Sequence, residues 1–283
     1  MVQVVALLLI ANSAVESRRI PLEAFPCGRI AGVAREGDKW LVGGIRGLYL
    51  GKPNGDWKRA SNQSVREMRT GSSGTWILFG NGALDKVDIR ADRLYDDLLR
   101  GVSKRPWVSS FSMDHDSLLL GGAGGWIQRG PNGIDEHYLQ ELSVKPVTAI
   151  TKSGSNLFLG TQDGLYCQSS KSLQRFGFAS GMPDLWVTAM IPSTKGIVAG
   201  VASGGLVVVT NGKVERLTCP TERVRSLTRW KGALVVGALD GAWMRRGENW
   251  ERLCETEATF LSQIGKEFVI GTPEGLRFYR RKG

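Results

Sequence analysis

The stretch Asn156-Leu157-Phe158-Leu159-Gly160-Thr161-Gln162-Asp163-Gly164-Leu165-Tyr166 decides how the chain is read. An apolar run ends at Gly160, three residues intervene, and Gly164 opens a second apolar run. Two β-runs around a tight glycine turn specify a hairpin. The phrase recurs as Leu41-Val42-Gly43-Gly44-Ile45-Arg46-Gly47-Leu48-Tyr49, as Leu119-Leu120-Gly121-Gly122-Ala123-Gly124-Gly125-Trp126, and around Gly200, Gly237 and Gly271, with a degenerate copy at Gly80. Successive key glycines, at 43, 80, 121, 160, 200, 237 and 271, lie 34 to 41 residues apart. That period accommodates one four-stranded antiparallel sheet per repeat and is too β-rich for a helical solenoid. The expected fold is all-β, a seven-bladed β-propeller closed by its N-terminal segment.

A second recurrence supports the register. Thirteen residues before each key glycine stands an apolar pair spaced by three: Ile30 and Val33, Val108 and Phe111, Val147 and Ile150, Val187 and Met190, Val224 and Leu227, Ala258 and Leu261. The second repeat offers Val65 and Met68, displaced by two residues, with a longer turn expected over Thr70 to Thr75. Segments such as Asp56-Trp57-Lys58-Arg59-Ala60 and Lys213-Val214-Glu215-Arg216-Leu217 alternate polar and apolar, as an outermost strand with one face in water does.

The domain expectation is one propeller over 1–283. Residues 1–26 form a latch completing the last blade, 27–255 make six complete blades, and 256–283 supply the inner strands of the seventh. Residues 4–11 are apolar like the core of a signal peptide, with Ala14 before a candidate cleavage point, but the preceding basic residue is missing. Leu7-Leu8-Leu9-Ile10-Ala11-Asn12-Ser13-Ala14-Val15-Glu16 also aligns with the strand pair over 206–217, which favours sheet and leaves export as the alternative. A cytoplasmic location without a transmembrane segment is the expectation.

The repeats resemble the two-component-regulator type of propeller repeat, and Leu159 to Tyr166 matches it best. The resemblance covers the whole chain and implies fold only. Asn54-Gly55-Asp56-Trp57 and Gly247-Glu248-Asn249-Trp250 resemble the Asp-box repeats of the photosystem II assembly and stability factor propellers, without the full Asp-x-Gly-x-x-Trp pattern.

A net charge of +10 favours an acidic partner. Two histidines argue against His-rich metal sites and most His-based catalysis, and four cysteines form no CxxC pair or disulfide framework. In a propeller the loop entering each innermost strand and the loop between second and third strands open on one face, around the channel mouth. The repeat register therefore brings Arg29, Arg66, Arg105, Trp107, Lys145, Trp186, Arg223 and Arg225 to that mouth. Guanidinium forks and flat indoles suit an acidic peptide or a nucleic-acid segment. Ion pairing with Glu67, Asp184, Glu222 or Glu257 is the competing fate of these cations.

Asp163, Asp240 and Glu274 in the turns on this face read as solvated turn residues. Asp114-His115-Asp116 reads as a turn on the opposite face, and Cys27, Cys219 and Cys254 read as small buried residues at blade ends. No catalytic residue, metal or cofactor is assigned. The expected function is a non-enzymatic interaction scaffold or assembly subunit binding an acidic protein or peptide within a larger complex. A propeller lyase or hydrolase, or direct nucleic-acid binding, is the alternative.

Overall fold

The computed structural model describes residues 14–71, 74–91, 93–95, 99, 108–114, 117–130, 133–143, 145–170, 172–194 and 196–281. They build seven four-stranded antiparallel sheets, the blades of a propeller. The innermost strands are Ile30–Glu36, Val65–Gly71, Val108–Asp114, Ala149–Ser153, Val187–Ser193, Val224–Trp230 and Phe260–Ile264, in blades 1 to 7. Neighbouring innermost strands pack on one another, with blade 7 meeting blade 1 to close the ring, except that blade 3's meets chiefly the second strand of blade 2, Gly74–Phe79. Among the described residues no helix is long and apolar enough to cross a membrane.

The two recurrences in the sequence are one contact seen from two blades. A Cβ at Gly160 would lie 2.6 Å from Val187 Cγ1 of the next blade, one at Gly121 2.5 Å from Val147 Cγ1, and one at Gly200 2.3 Å from Val224 Cγ1. The missing side chain is what lets the leading valine of the next innermost strand seat itself, close approach being a principal use of glycine. Gly164 serves the hairpin differently: its φ of +113° suits glycine, and a Cβ there would fall 2.5 Å from the Phe176 carbonyl oxygen. Gly160→Ala is accordingly expected to destabilise the fold by about 1–3 kcal/mol, as overpacked cores do. The measurement is the urea midpoint at unchanged slope, and an unchanged midpoint would mean that Val187 withdraws at no cost.

Blade 2 corrects the sequence reading. The ladder runs on through Thr70↔Thr75 and Gly71↔Gly74, where a turn was expected. Thr70 Oγ1 and Thr75 Oγ1, 3.1 Å apart, join across it. The inner hairpin has the same six pairs as that of blade 1, and Val65 stands thirteen residues before Leu78; a count back from Gly80 slips by two because Gly80 is not the equivalent position. Leu78, opposite Glu67, occupies the register position that Gly43, Gly121 and Gly160 hold elsewhere. Gly80 lies beyond the strand and donates its N–H to the Ser64 carbonyl at 2.8 Å.

Closure follows the expected plan. The latch strand, Ala14–Pro21, pairs antiparallel with the C-terminal strand, Gly275–Arg281, from Ala14↔Arg281 to Pro21↔Gly275 with a bulge between Glu16 and Arg18. Ile20 and Leu22 pack on the core that joins blades 7 and 1 around Phe278 and Trp40. Arg18 pairs with the nearly buried Glu267 at 3.0 Å and lies over the Phe278 ring at 4.1 Å. The Ala14 N–H reaches Glu251 of blade 6 at 3.2 Å. Residues 4–11, expected as sheet, lie outside the described residues.

Candidate functional site

Contacts join the blade-entry loops to the turns between second and third strands, so both sets stand at the channel mouth. Lys145 Nζ lies 2.5 Å from Asp163, Thr221 Oγ1 donates to Asp240 at 2.6 Å, and the Ile45 N–H donates to the Arg29 carbonyl at 3.2 Å. Of the eight residues expected at the mouth, Arg105 and Trp107 lie outside the described residues. The other six divide into two groups. Arg66 and Arg225 line a well of about 430 Å³ at the channel axis, while Arg29, Lys145, Trp186 and Arg223 do not line it and belong to the rim.

Their electrostatics differ as well. Arg29 forms an ion pair with Glu257, and Arg225 stands 4.0 Å from the same carboxylate, so one acid serves two blades' arginines. Lys145 and Arg175 share Asp163. The hydrogen bond from Lys145 holds the Asp163 carboxyl below the usual carboxylate range, and the same bond raises the Lys145 pKa. Asp184, a candidate partner for the arginines, instead accepts the backbone N–H groups of Trp186 and Ser203. Arg46, Arg66 and Arg223 are exposed and carry no ion pair among the described residues. They supply the mouth's uncompensated charge.

Sequence reasoning missed two apolar members of this face. Ile45 and Phe178 are 60% and 64% exposed, alongside Trp186 at 47%. Ile45 sits in a turn whose counterparts hold Gln162 or Pro273, so a β-branched side chain there was a legible signal. Phe178 belongs to a short 3-10 turn, Phe178–Ser180, in the blade-entry loop that also carries Trp186.

The opposite face is basic too, but its cations are largely engaged. Arg246 pairs with Glu251 and Arg280 with Glu267, both at 2.9 Å. Arg245 donates to the Gly247 carbonyl at 2.9 Å and Arg281 to that of Lys231 at 3.1 Å. Asp114 lies on this side, 3.6 Å from Lys152, while His115 and Asp116 fall outside the described residues.

Among the described residues no group of three or more His, Cys, Asp or Glu is placed to hold a metal ion. All four cysteines are free, with Cys27 and Cys254 buried. Burial raises each thiol above its ordinary value, Cys27 to about 11. Because the thiolate is the nucleophile, Cys27 is expected to resist iodoacetamide at about pH 7.5 in the folded protein and to react once urea unfolds it. Peptide mass spectrometry reads both states, and rapid native labelling would contradict the buried setting.

No protein-family model matches the sequence, and no curated protein matches it. Solved structures do. The extracellular domain of BT3049, a proposed hybrid two component system of B. thetaiotaomicron, matches with TM-score 0.73 and 14% identity over 95% of this chain and 41% of its own. The WD40 β-propeller domain of Doa1 matches with TM-score 0.68 and 12% identity over 95% of this chain and 97% of its own. Virginiamycin B lyase from Staphylococcus aureus matches with TM-score 0.66 and 10% identity over 95% and 98%. A system domain, a WD40 propeller and a lyase share this architecture, so the likeness shows the fold alone.

Proposed function

We propose that the protein is a non-enzymatic interaction scaffold that seats an acidic protein or peptide on its channel-mouth face. The observation that carries this reading is the coincidence, on one face, of unpaired Arg46, Arg66 and Arg223 with exposed Ile45, Phe178 and Trp186. Arginine and aromatic side chains are the types that anchor interfaces, and solvent-exposed apolar groups gain most when a partner covers them. Complementary charge steers the encounter, and desolvated apolar anchors slow release. A rigid ring of blades keeps the constellation in place before the partner arrives, which lowers the ordering cost of association.

The test begins with cross-linking in cells, to recover the partner and locate its contacts. Wild type and the rim variant Arg29→Ala/Arg46→Ala/Arg223→Ala are then titrated with that partner at low and high salt. Cross-links on the mouth face and a weakened, less salt-sensitive rim variant support the reading. Cross-links confined to the opposite face with an unaffected rim variant defeat it. A partner that proves to be nucleic acid, with an affinity falling linearly in log salt, would favour direct nucleic-acid binding instead.

A further inference from the structure

The channel well is built from one repeated position that is a hydroxyl in four blades, alanine in one and arginine in two. The residue one place into the innermost strand register is Ala31, Arg66, Ser109, Thr148, Thr188, Arg225 or Thr259 in blades 1 to 7. Where it is a hydroxyl it stitches blades together. Ser109 Oγ donates to the Val147 carbonyl at 2.6 Å, Thr148 Oγ1 to that of Val187, Thr188 Oγ1 to that of Val224 at 2.8 Å, and Thr259 Oγ1 to that of Ile30 at 3.2 Å. Each acceptor belongs to the following blade. Ala31, Arg66 and Arg225 make no such bond, and of these blades 2 and 6 put charge in its place, setting two like charges in one ring. In a seven-fold ring these two blades stand as nearly opposite as the geometry permits. A site that gives up a stabilising contact to place charge at an axis is a functional candidate.

What lies beneath the arginines is an apolar set with polar side chains among it, Arg69 and Thr228 included. Met68, Phe111, Met190, Leu227 and Leu261 line the well below them. Met68, Arg69, Met190, Thr228 and Leu261 also line a second well of about 360 Å³ at the far end of the channel, so they form a waist between the two. Within the well Glu67 is occupied by Arg69 at 2.7 Å, so among the described residues Arg66 carries no ion pair and Arg225 has only the Glu257 carboxylate, 4.0 Å away and shared with Arg29. The stitching hydroxyls have committed their hydrogens to carbonyls. With Arg69 held by Glu67, Arg66 and Arg225 are the guanidiniums left for a ligand, and two forks match the two oxygens of a carboxylate; Ser226 Oγ, without a hydrogen-bond partner among the described residues, is a further hydroxyl in the lining. The volume is that of a small-ligand site.

We infer that the well binds an amphiphilic carboxylate, with its charged end between Arg66 and Arg225 and its apolar body on the floor of Met68, Phe111, Met190, Leu227 and Leu261. The inference deepens the proposed acid-binding role of the mouth and rests on it, while assigning the well a ligand separate from the partner seated on the rim. Two sources present this chemistry: a free medium-chain acid, and a peptide C-terminus ending in a large apolar residue.

The experiment is calorimetric titration of the full chain with octanoate, octanol, and a short peptide ending in leucine as free acid and as amide. Octanoate or the free-acid peptide is expected to bind, with octanol and the amide weaker by about tenfold or more, since a bond to a charged group disappears. Arg66→Thr and Arg225→Thr place at these positions the residue that blades 4, 5 and 7 carry. Each is expected to weaken acid binding by about tenfold or more, while the regained stitch raises the melting temperature by about 1–4 °C. Should a threonine variant fail to fold, Arg66→Gln reads the same loss of charge.

Binding of octanoate alone assigns the site to free acids, and binding of the peptide acid assigns it to chain termini. Failure of wild type to bind either acid at millimolar concentration overturns the inference. So does equal binding by octanol, or unchanged acid binding in the variants. Arg29→Ala/Arg223→Ala serves to separate the two readings. If it abolishes partner binding while the well takes neither acid, the scaffold stands and the well does not.

Discussion

A chain lacking residues 1–21 is expected to associate rather than remain monomeric, and to melt about 10 °C or more below the full-length protein. The deletion removes the strand paired with Gly275–Arg281 along its whole length, leaving a row of unpaired N–H and C=O groups at the edge of blade 7. It also uncovers Leu276 and Phe278, which are 1% and 0% exposed in the closed ring, and strips Ile20 from the core on which it packs beside Leu22. Burial of one large apolar side chain is worth about 1.5–3 kcal/mol, so exposing several approaches the whole margin of a folded domain, about 5–15 kcal/mol. Glu267, with its side chain 10% exposed, would keep Arg280 but lose Arg18 and Ser17. Light scattering and thermal melts measure the outcome. A synthetic peptide spanning residues 14–22, added in trans, should recover part of the missing stability. A truncated chain that stays monomeric and melts with the full-length protein would place ring closure in the innermost strands alone.

This dependence on the latch was readable from the repeat count, because six complete repeats plus three inner strands leave one edge that only an N-terminal strand can fill. Gly160 and Val187 were equally legible as recurrences, although the sequence does not reveal that they touch. That requires knowing that the second strand of one blade backs onto the first strand of the next. Blade 2 misled for a local reason: Gly80, two residues past the position that Leu78 holds, mimics the key glycine, so a count of spacings starts from the wrong residue. The mouth was legible as a set of positions but not as a charge distribution. Whether Arg29 reaches Glu257, or Lys145 reaches Asp163, depends on side-chain reach across 228 and 18 residues of sequence. The exchange of hydroxyl for arginine at 66 and 225 could be aligned by eye, yet its meaning appears only once the neighbouring hydroxyls are seen to hold the next blade.

The rim variant Arg29→Ala/Arg46→Ala/Arg223→Ala is expected to fold like wild type and to bind the acidic partner about 100-fold more weakly at low salt. Folding should be spared because all three side chains are exposed, and exposed charges contribute little to stability. Of the three, Arg29 is the one with an ion pair to give up, and Arg225, 4.0 Å from Glu257, stays beside that carboxylate. Binding should suffer because each guanidinium meets a carboxylate that the complex desolvates, leaving the partner's acid unpaired when the arginine goes. Raising the salt concentration should weaken wild type steeply and the variant only slightly, since screening acts on charges the variant no longer has. Phe178→Ala and Trp186→Ala provide the contrast. They should reduce affinity while preserving the wild-type salt dependence, because they remove apolar surface and no charge. If the rim variant instead binds as tightly as wild type while Arg245→Ala or Arg280→Ala abolishes binding, the working surface is the opposite face and the mouth arginines are solvated.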